Sequence, residues 1–248
     1  MPDARANQAL QQRDLVVIGA SAGGVDALQQ MVGHFPPEFP AAVLVVLHVS
    51  ASGTSVLPQI LARNGALPAA FAGDGDELLR GQIYVAPADH HMLVRGGRIR
   101  VTKGPRENGH RPAIDPLFRS AARRGDGRCI GVILSGLLDD GASGLRFIKT
   151  YGGAAVVQDP DDALFPSMPR AAMALTEVDR VAKASQLVRV LCELFGEPVE
   201  TEPQTDDSAL PADRALEGAD REAAVHAQAL RPILGRAGRI ASPAPEQT

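Results

Sequence analysis

The chain predicts an α/β fold: a doubly wound, mostly parallel sheet with helices on both faces and one antiparallel hairpin excursion. Three observations carry that expectation. From Asp14 to about Phe195, short apolar runs alternate with helical patterns, as parallel strands joined by crossover helices do. The runs are apolar at nearly every position, which suits strands covered on both faces. A glycine-rich turn also joins the first run directly to the first helical pattern, the layout of a βα unit.

The elements follow in order. The first strand, Leu15–Ile18, runs through Gly19-Ala20-Ser21-Ala22-Gly23-Gly24 into a helix marked by Val25, Leu28 and Met31 at helical spacing. Further strands are expected at Val43–Leu47, Ile83–Val85, Cys129–Leu134, Ala154–Val157 and Val178–Ala182. Helix starts are signalled by Asp115-Pro116, as N-cap and first helical residue before LFRSAARR, by Ser167 before MPRAAMAL and by Ser185 before QLVRVLCELF. His91–Val94 and Arg98–Val101 alternate around Arg95-Gly96-Gly97 and predict the hairpin.

Bulk properties narrow the function. At 248 residues and 45% hydrophobic content, the chain is long enough for one sizeable α/β core plus a tail. A net charge of −4, 4% aromatic residues and no Trp argue against nucleic-acid binding. No run reaches membrane-span length and the opening MPDARANQALQQRD is polar, so a cytoplasmic protein without membrane insertion is expected. Cys129 and Cys192 fall in a strand and a helix and are expected to be small core residues, neither disulfide partners nor metal ligands. The domain reading is a short segment 1–13, a catalytic domain 14–196, and a linker and low-complexity tail 197–248. Leu216, Ala223, Leu230 and Leu234 sketch one helix at about 211–234 within that tail.

The glycine-flanked Ser21 carries the chemistry. A tight turn between strand and helix lifts the hydroxyl above the sheet edge, beside free N–H groups at the helix start. The same turn also fits a phosphate cradle or a plain βα connection. Against a dinucleotide site, the spacing is G-x-x-x-G-G, and His48 ends the second strand where a ribose-binding carboxylate is expected. In a parallel sheet, residues just beyond the strand carboxyl ends converge on one crevice. Ser21, His48 and the Asp139-Asp140 pair after the fourth expected strand lie at that edge, so nucleophile, base and orienting acid are available. His110, His90 and His91 compete with His48 for the base. Spacing alone does not choose between Asp139 and Asp140, and Asp140 also suits the cap of the helix that follows it. The backbone N–H of Ala22 is the best-placed oxyanion donor, with a second from the Leu137 loop. No metal or other cofactor is needed.

Six segments in order, GASAGG with Ser21, LHVS with His48, GDGDELLRGQIYVAPADHHM, GHRPAIDPLFRSAA, GVILSGLLDDGASGL and SMPRAAM, resemble the chemotaxis protein-glutamate methylesterase (CheB) catalytic domain. The resemblance covers about Asp14 to Phe195. It implies Ser21 as nucleophile, His48 as general base and Asp140 as the acid. It also implies hydrolysis of glutamyl γ-methyl esters on methylated chemoreceptor-like proteins, with glutamine deamidation as a second reaction. Three departures stand out. Ala22 replaces the family's common Thr, and Leu137 and Leu138 replace a Met and a Gly of the family's TGMGxDGA. The dozen residues before the first strand are also shorter than the receiver domain that usually precedes this domain. The alternatives are a serine esterase of the same fold acting on another substrate, and a non-catalytic module that binds a partner or a nucleotide through the Gly19–Gly24 turn.

Overall fold

The computed structural model describes residues 14–50, 55–124 and 127–196; the expected segments 1–13 and 197–248, with the helix at 211–234, lie outside the described residues. In chain order the elements are β1 (Leu15–Ala20), α1 (Gly24–Val32), β2 (Ala42–Leu47), α2 (Leu57–Asn64), β3 (Ala69–Phe71), β4 (Ile83–Val85), β5 (His91–Arg95) and β6 (Arg98–Thr102). They continue with α3 (Ile114–Ala122), β7 (Cys129–Ile133), α4 (Ala142–Thr150), β8 (Ala154–Gln158), α5 (Ser167–Leu175), β9 (Arg180–Ala182) and α6 (Leu187–Phe195).

Seven strands form one parallel sheet in the order β3-β4-β2-β1-β7-β8-β9. The antiparallel pair β5-β6 stands apart as its own two-stranded sheet, in register from His91 opposite Thr102 to Arg95 opposite Arg98. The chain leaves β1 toward β2 and β4, then returns to place β7 on the other side of β1. Strand order therefore reverses at β1, where open α/β sheets bind ligands beyond the strand carboxyl ends.

The period-2 alternation of strands sorts side chains into two cores. Val16, Ile18, Val43 and Val45 face Leu28 and Met31 of α1, Leu57 and Leu61 of α2, and Leu187 and Leu191 of α6. Leu15, Val17, Leu44 and Val46 face Leu117 and Phe118 of α3, Leu145 and Ile148 of α4, Met168 of α5, and Met92 and Ile99 of the hairpin. Both cysteines are buried, Cys129 in β7 and Cys192 in α6.

Several boundaries move from their expected places. β1 continues to Ala20 and β7 stops at Ile133. Asp115 does not cap its own helix: α3 begins at Ile114 with Ala113 in extended conformation before it, and Pro116 follows inside the first turn. Ser167 is the first residue of α5 rather than its cap. Ser185 lies in a 3-10 turn, Ala184–Gln186, whose start is held by Asp162 Oδ2 accepting the Ala184 N–H at 2.9 Å.

Candidate active site

Ser21 follows β1 at the reversal point. Its N–H donates to the Ser135 carbonyl at 3.0 Å and its own carbonyl accepts the Gly24 N–H at 2.8 Å, which fixes the turn on both sides. Gly23 takes φ +70° there, and a side chain on it would stand 2.7 Å from Ser135 Oγ. Only glycine fits without strain. Ser135 itself binds the turn to its neighbours, donating from Oγ to the Ala22 carbonyl at 2.8 Å and accepting the Phe165 N–H at 2.9 Å.

His48 leaves β2 with its N–H on the Ala20 carbonyl at 3.1 Å, which brings its ring beside Ser21. Ser21 Oγ lies 3.1 Å from His48 Nδ1, and His48 Nε2 lies 2.8 Å from Asp140 Oδ2. The hydrogen-bond pattern assigns the tautomer: Nε2–H donates to the carboxylate, leaving the Nδ1 lone pair for the serine hydroxyl. All three side chains are buried. Ser, His and Asp are thus brought together in one relay from three strand ends.

Asp140, and not Asp139, completes it, because Asp139 is exposed while Asp140 is 2% exposed. Asp140 is also not the cap of its following helix. Its Oδ2 accepts the Ile114 N–H at 2.7 Å and its Oδ1 the Asp115 N–H at 3.2 Å, so it caps α3 from outside. Asp115 returns the service to α4, with Oδ1 accepting the Gly141 and Gly144 N–H groups at 3.1 and 2.6 Å. Two carboxylates therefore exchange helix ends, each at the positive end of the other's helix dipole.

The electrostatics follow from these contacts. Burial pushes the Asp140 carboxyl up, but the His48 hydrogen bond and charge, the Ile114 N–H and the Asn108 amide outweigh it and hold Asp140 below its ordinary 3.8. Asp115 goes the other way: burial, with the Asp140 charge beside it, raises its carboxyl above 3.8 against the Gly144 N–H and the Asn108 amide.

The rival histidines have other places. His91 Nε2 donates to the Pro105 carbonyl at 2.8 Å and its Nδ1 accepts the Ala113 N–H at 3.3 Å. His90 Nδ1 donates to the Ala88 carbonyl at 3.0 Å. His110 is at the site, its ring lying flat on His48 at 3.7 Å between centroids and 5° between planes. The Ala22 and Leu137 N–H groups, expected as oxyanion donors, donate to no acceptor among the described residues. Among those residues no group of three or more His, Cys, Asp or Glu side chains stands ready to hold a metal ion, and no helix is long and apolar enough to cross a membrane.

Sequence reasoning missed Ser135, Asp115's capping role and the Asn108 amide. Asn108-Gly109, a strong tight-turn pair, was the available signal for the last.

Comparisons with known proteins agree with this geometry. The profile of the CheB methylesterase family matches residues 16–191. The protein-glutamate methylesterase/protein-glutamine glutaminase 2 of Anaeromyxobacter dehalogenans is 41% identical over 73% of this chain and 53% of its own length. The corresponding protein of Sulfurimonas denitrificans is 36% identical over 79% of this chain and 56% of its own. The chain thus spans about half the length of these curated relatives, whereas the match covers 94% of a Leptospira interrogans relative that is 36% identical. The crystal structure of the Thermotoga maritima CheB methylesterase catalytic domain superposes with a TM-score of 0.70 at 32% identity, covering 73% of this chain and 98% of that one. On profile, sequence and fold together, the chain belongs to the CheB methylesterase family.

Proposed function

We propose that this chain is a serine hydrolase that removes methyl groups from glutamyl γ-methyl esters on chemoreceptor-like signalling proteins, releasing methanol, and that it deamidates glutamine side chains by the same route. Residues 14–196 form the catalytic domain in this reading, and the protein works in the cytoplasm. The observation that carries it is the buried relay from Ser21 Oγ through His48 to Asp140, with its two links at 3.1 and 2.8 Å.

Ser21 Oγ attacks the ester carbonyl while His48 Nδ1 takes its proton, and Asp140 holds the tautomer and stabilises the imidazolium that forms. The developing oxyanion is met by the N–H groups of Ala22 and Leu137; loss of one such donor typically raises the barrier by about 3 kcal/mol. The imidazolium returns its proton to the departing methoxide, leaving Ser21 acylated by the glutamyl group. Water, activated by the same nitrogen, then cleaves that acyl ester to free carboxylate and serine. With a glutamine amide the leaving group is ammonia.

Release of labelled methanol from methylated receptor, measured for wild type and for Ser21→Ala, tests substrate and nucleophile together. Wild-type release that vanishes in Ser21→Ala is expected. Rapid cleavage of small esters with no methanol release from receptor would assign the relay to a different substrate, and equal release by both proteins would remove Ser21 as nucleophile.

A further inference from the structure

Glu107 and His110 form an isolated antiparallel bridge, with N–H to carbonyl distances of 3.1 and 2.8 Å in the two directions. Between them Asn108 and Gly109 take φ +50° and +78°, the left-handed pair of a tight turn for which Asn-Gly is the favoured sequence. That turn touches two members of the relay. Its last residue, His110, lies flat on the His48 ring. Its first central residue, Asn108, donates from Nδ2 to Asp140 Oδ1 at 2.7 Å and to Asp115 Oδ2 at 3.0 Å. An amide nitrogen has two N–H groups, and both are spent on carboxylates.

The consequence for Asp140 is geometric. Its Oδ2 is shared by His48 Nε2 at 2.8 Å and the Ile114 N–H at 2.7 Å, so the hold on Oδ1 sets the angle at which Oδ2 meets both partners. Oδ1 has two donors, the Asp115 N–H at 3.2 Å and the Asn108 amide at 2.7 Å; the shorter comes from Asn108. The same amide bridges two buried carboxylates, Asp140 and Asp115, whose other donors are His48 and backbone N–H groups, with Arg119 3.9 Å from Asp115 Oδ2. Glu107, the first residue of the turn, pairs with the same Arg119.

We infer that Asn108 is a positioning residue of the relay: its amide locks Asp140 in the rotation that holds His48 and separates Asp140 from Asp115. The inference rests on the proposed Ser21–His48–Asp140 chemistry. It predicts a need for the donor and not only for the turn.

Two variants separate these needs. Asn108→Gly keeps the left-handed turn and removes the amide. Asn108→Asp keeps shape and turn tolerance but replaces the donor with a third carboxylate. Both are compared with wild type and Ser21→Ala for the rate at which a fluorophosphonate labels Ser21, and for the downfield proton resonance of the His48 Nε2–H···Asp140 bond, after thermal melts establish cooperative folding. Labelling should slow about tenfold in Asn108→Gly, the scale of one hydrogen bond to a charged group, and further in Asn108→Asp. The downfield resonance should move upfield or broaden in both. Asn108→Asp labelling at the wild-type rate would overturn the inference, because a residue that only shapes the turn tolerates that change. Unchanged resonance and rates in both variants would overturn it equally. If wild-type Ser21 is not labelled at all, the proposed hydrolysis fails, and the His48 resonance still decides whether Asn108 positions Asp140.

Discussion

At the scale of single residues, Asp140 holds two posts. It orients His48, and it closes the open N-terminus of α3 through Ile114 and Asp115. Both posts favour the ionised form, since each partner is an N–H donor or the positive end of a helix. This is why a carboxyl that is 2% exposed stays below its ordinary value. Asp140→Asn keeps an oxygen for the helix end but has an NH2 to place. Directed at His48, that group forces the opposite tautomer, with Nδ1 protonated and unable to accept the Ser21 proton. Methanol release should fall by about 10²- to 10⁴-fold, the range seen when a relay keeps its geometry and loses its tautomer. Asp139→Asn should stay within about twofold of wild type, because Asp139 faces solvent. A larger loss in Asp139→Asn than in Asp140→Asn would reverse the assignment.

At the scale of elements, the long apolar strands were readable because each carries enough β-favouring residues to be recognised alone. β3, only Ala69–Phe71, is partly exposed and has no such run. α2 begins on Leu57-Pro58, and its brevity left no clear pattern. The strand-end rule brought Ser21, His48 and the Asp139-Asp140 pair to one edge, yet local sequence could not choose among neighbours. That choice is made by packing, which buries Asp140 under α3 and turns Asp139 outward. Asp115 was misassigned for a related reason: a carboxylate beside a helix start reads as that helix's own cap, whereas here it reaches across to Gly141 and Gly144 of α4. The loop between β7 and α4 carries a backbone strain that predicts a cost. Leu138 stands at φ +66° with 58% of its surface exposed. A left-handed conformation costs a residue with a Cβ about 1–2 kcal/mol, and glycine's greater unfolded-state freedom offsets about 0.4–1 kcal/mol of any gain. Leu138→Gly should therefore raise the melting temperature by about 1–4 °C in a domain of this size. A lower melting temperature would mean that the exposed leucine contributes packing that outweighs its strain.

At the scale of the whole molecule, the relay exists only after the sheet has closed: Ser21 and His48 are 27 residues apart, and His48 and Asp140 are 92 apart. The segment between them that carries Asn108 and His110 must be held against the domain, and Asp89 is its anchor. Arg111 donates to Asp89 from Nε at 2.8 Å and from Nη2 at 2.5 Å, and to the Gly104 carbonyl from Nη1 at 2.7 Å. Lys103 adds a second cation 2.8 Å from the same carboxylate. The hydrogen bonds from Lys103 and then Arg111 lower Asp89 from 3.8 to about 2. The sign is that of a depressed acid: its contribution to stability is present above 3.8 and is lost as pH falls through that value toward about 2. Asp140 acts in the same direction. Asp115, raised, acts oppositely, adding stability below 3.8 that is lost as pH rises through its folded value. Asp89→Asn tolerates the left-handed backbone at that position, φ +59°, and removes the charge together with one of the two acceptor oxygens. Denaturant unfolding measured from about pH 6 down to about pH 2 should show the variant less stable than wild type at the neutral end. The two curves should converge as Asp89 is protonated in wild type. Curves that stay parallel through the acid range would mean that Asp89 is not the carboxylate whose titration loosens this segment.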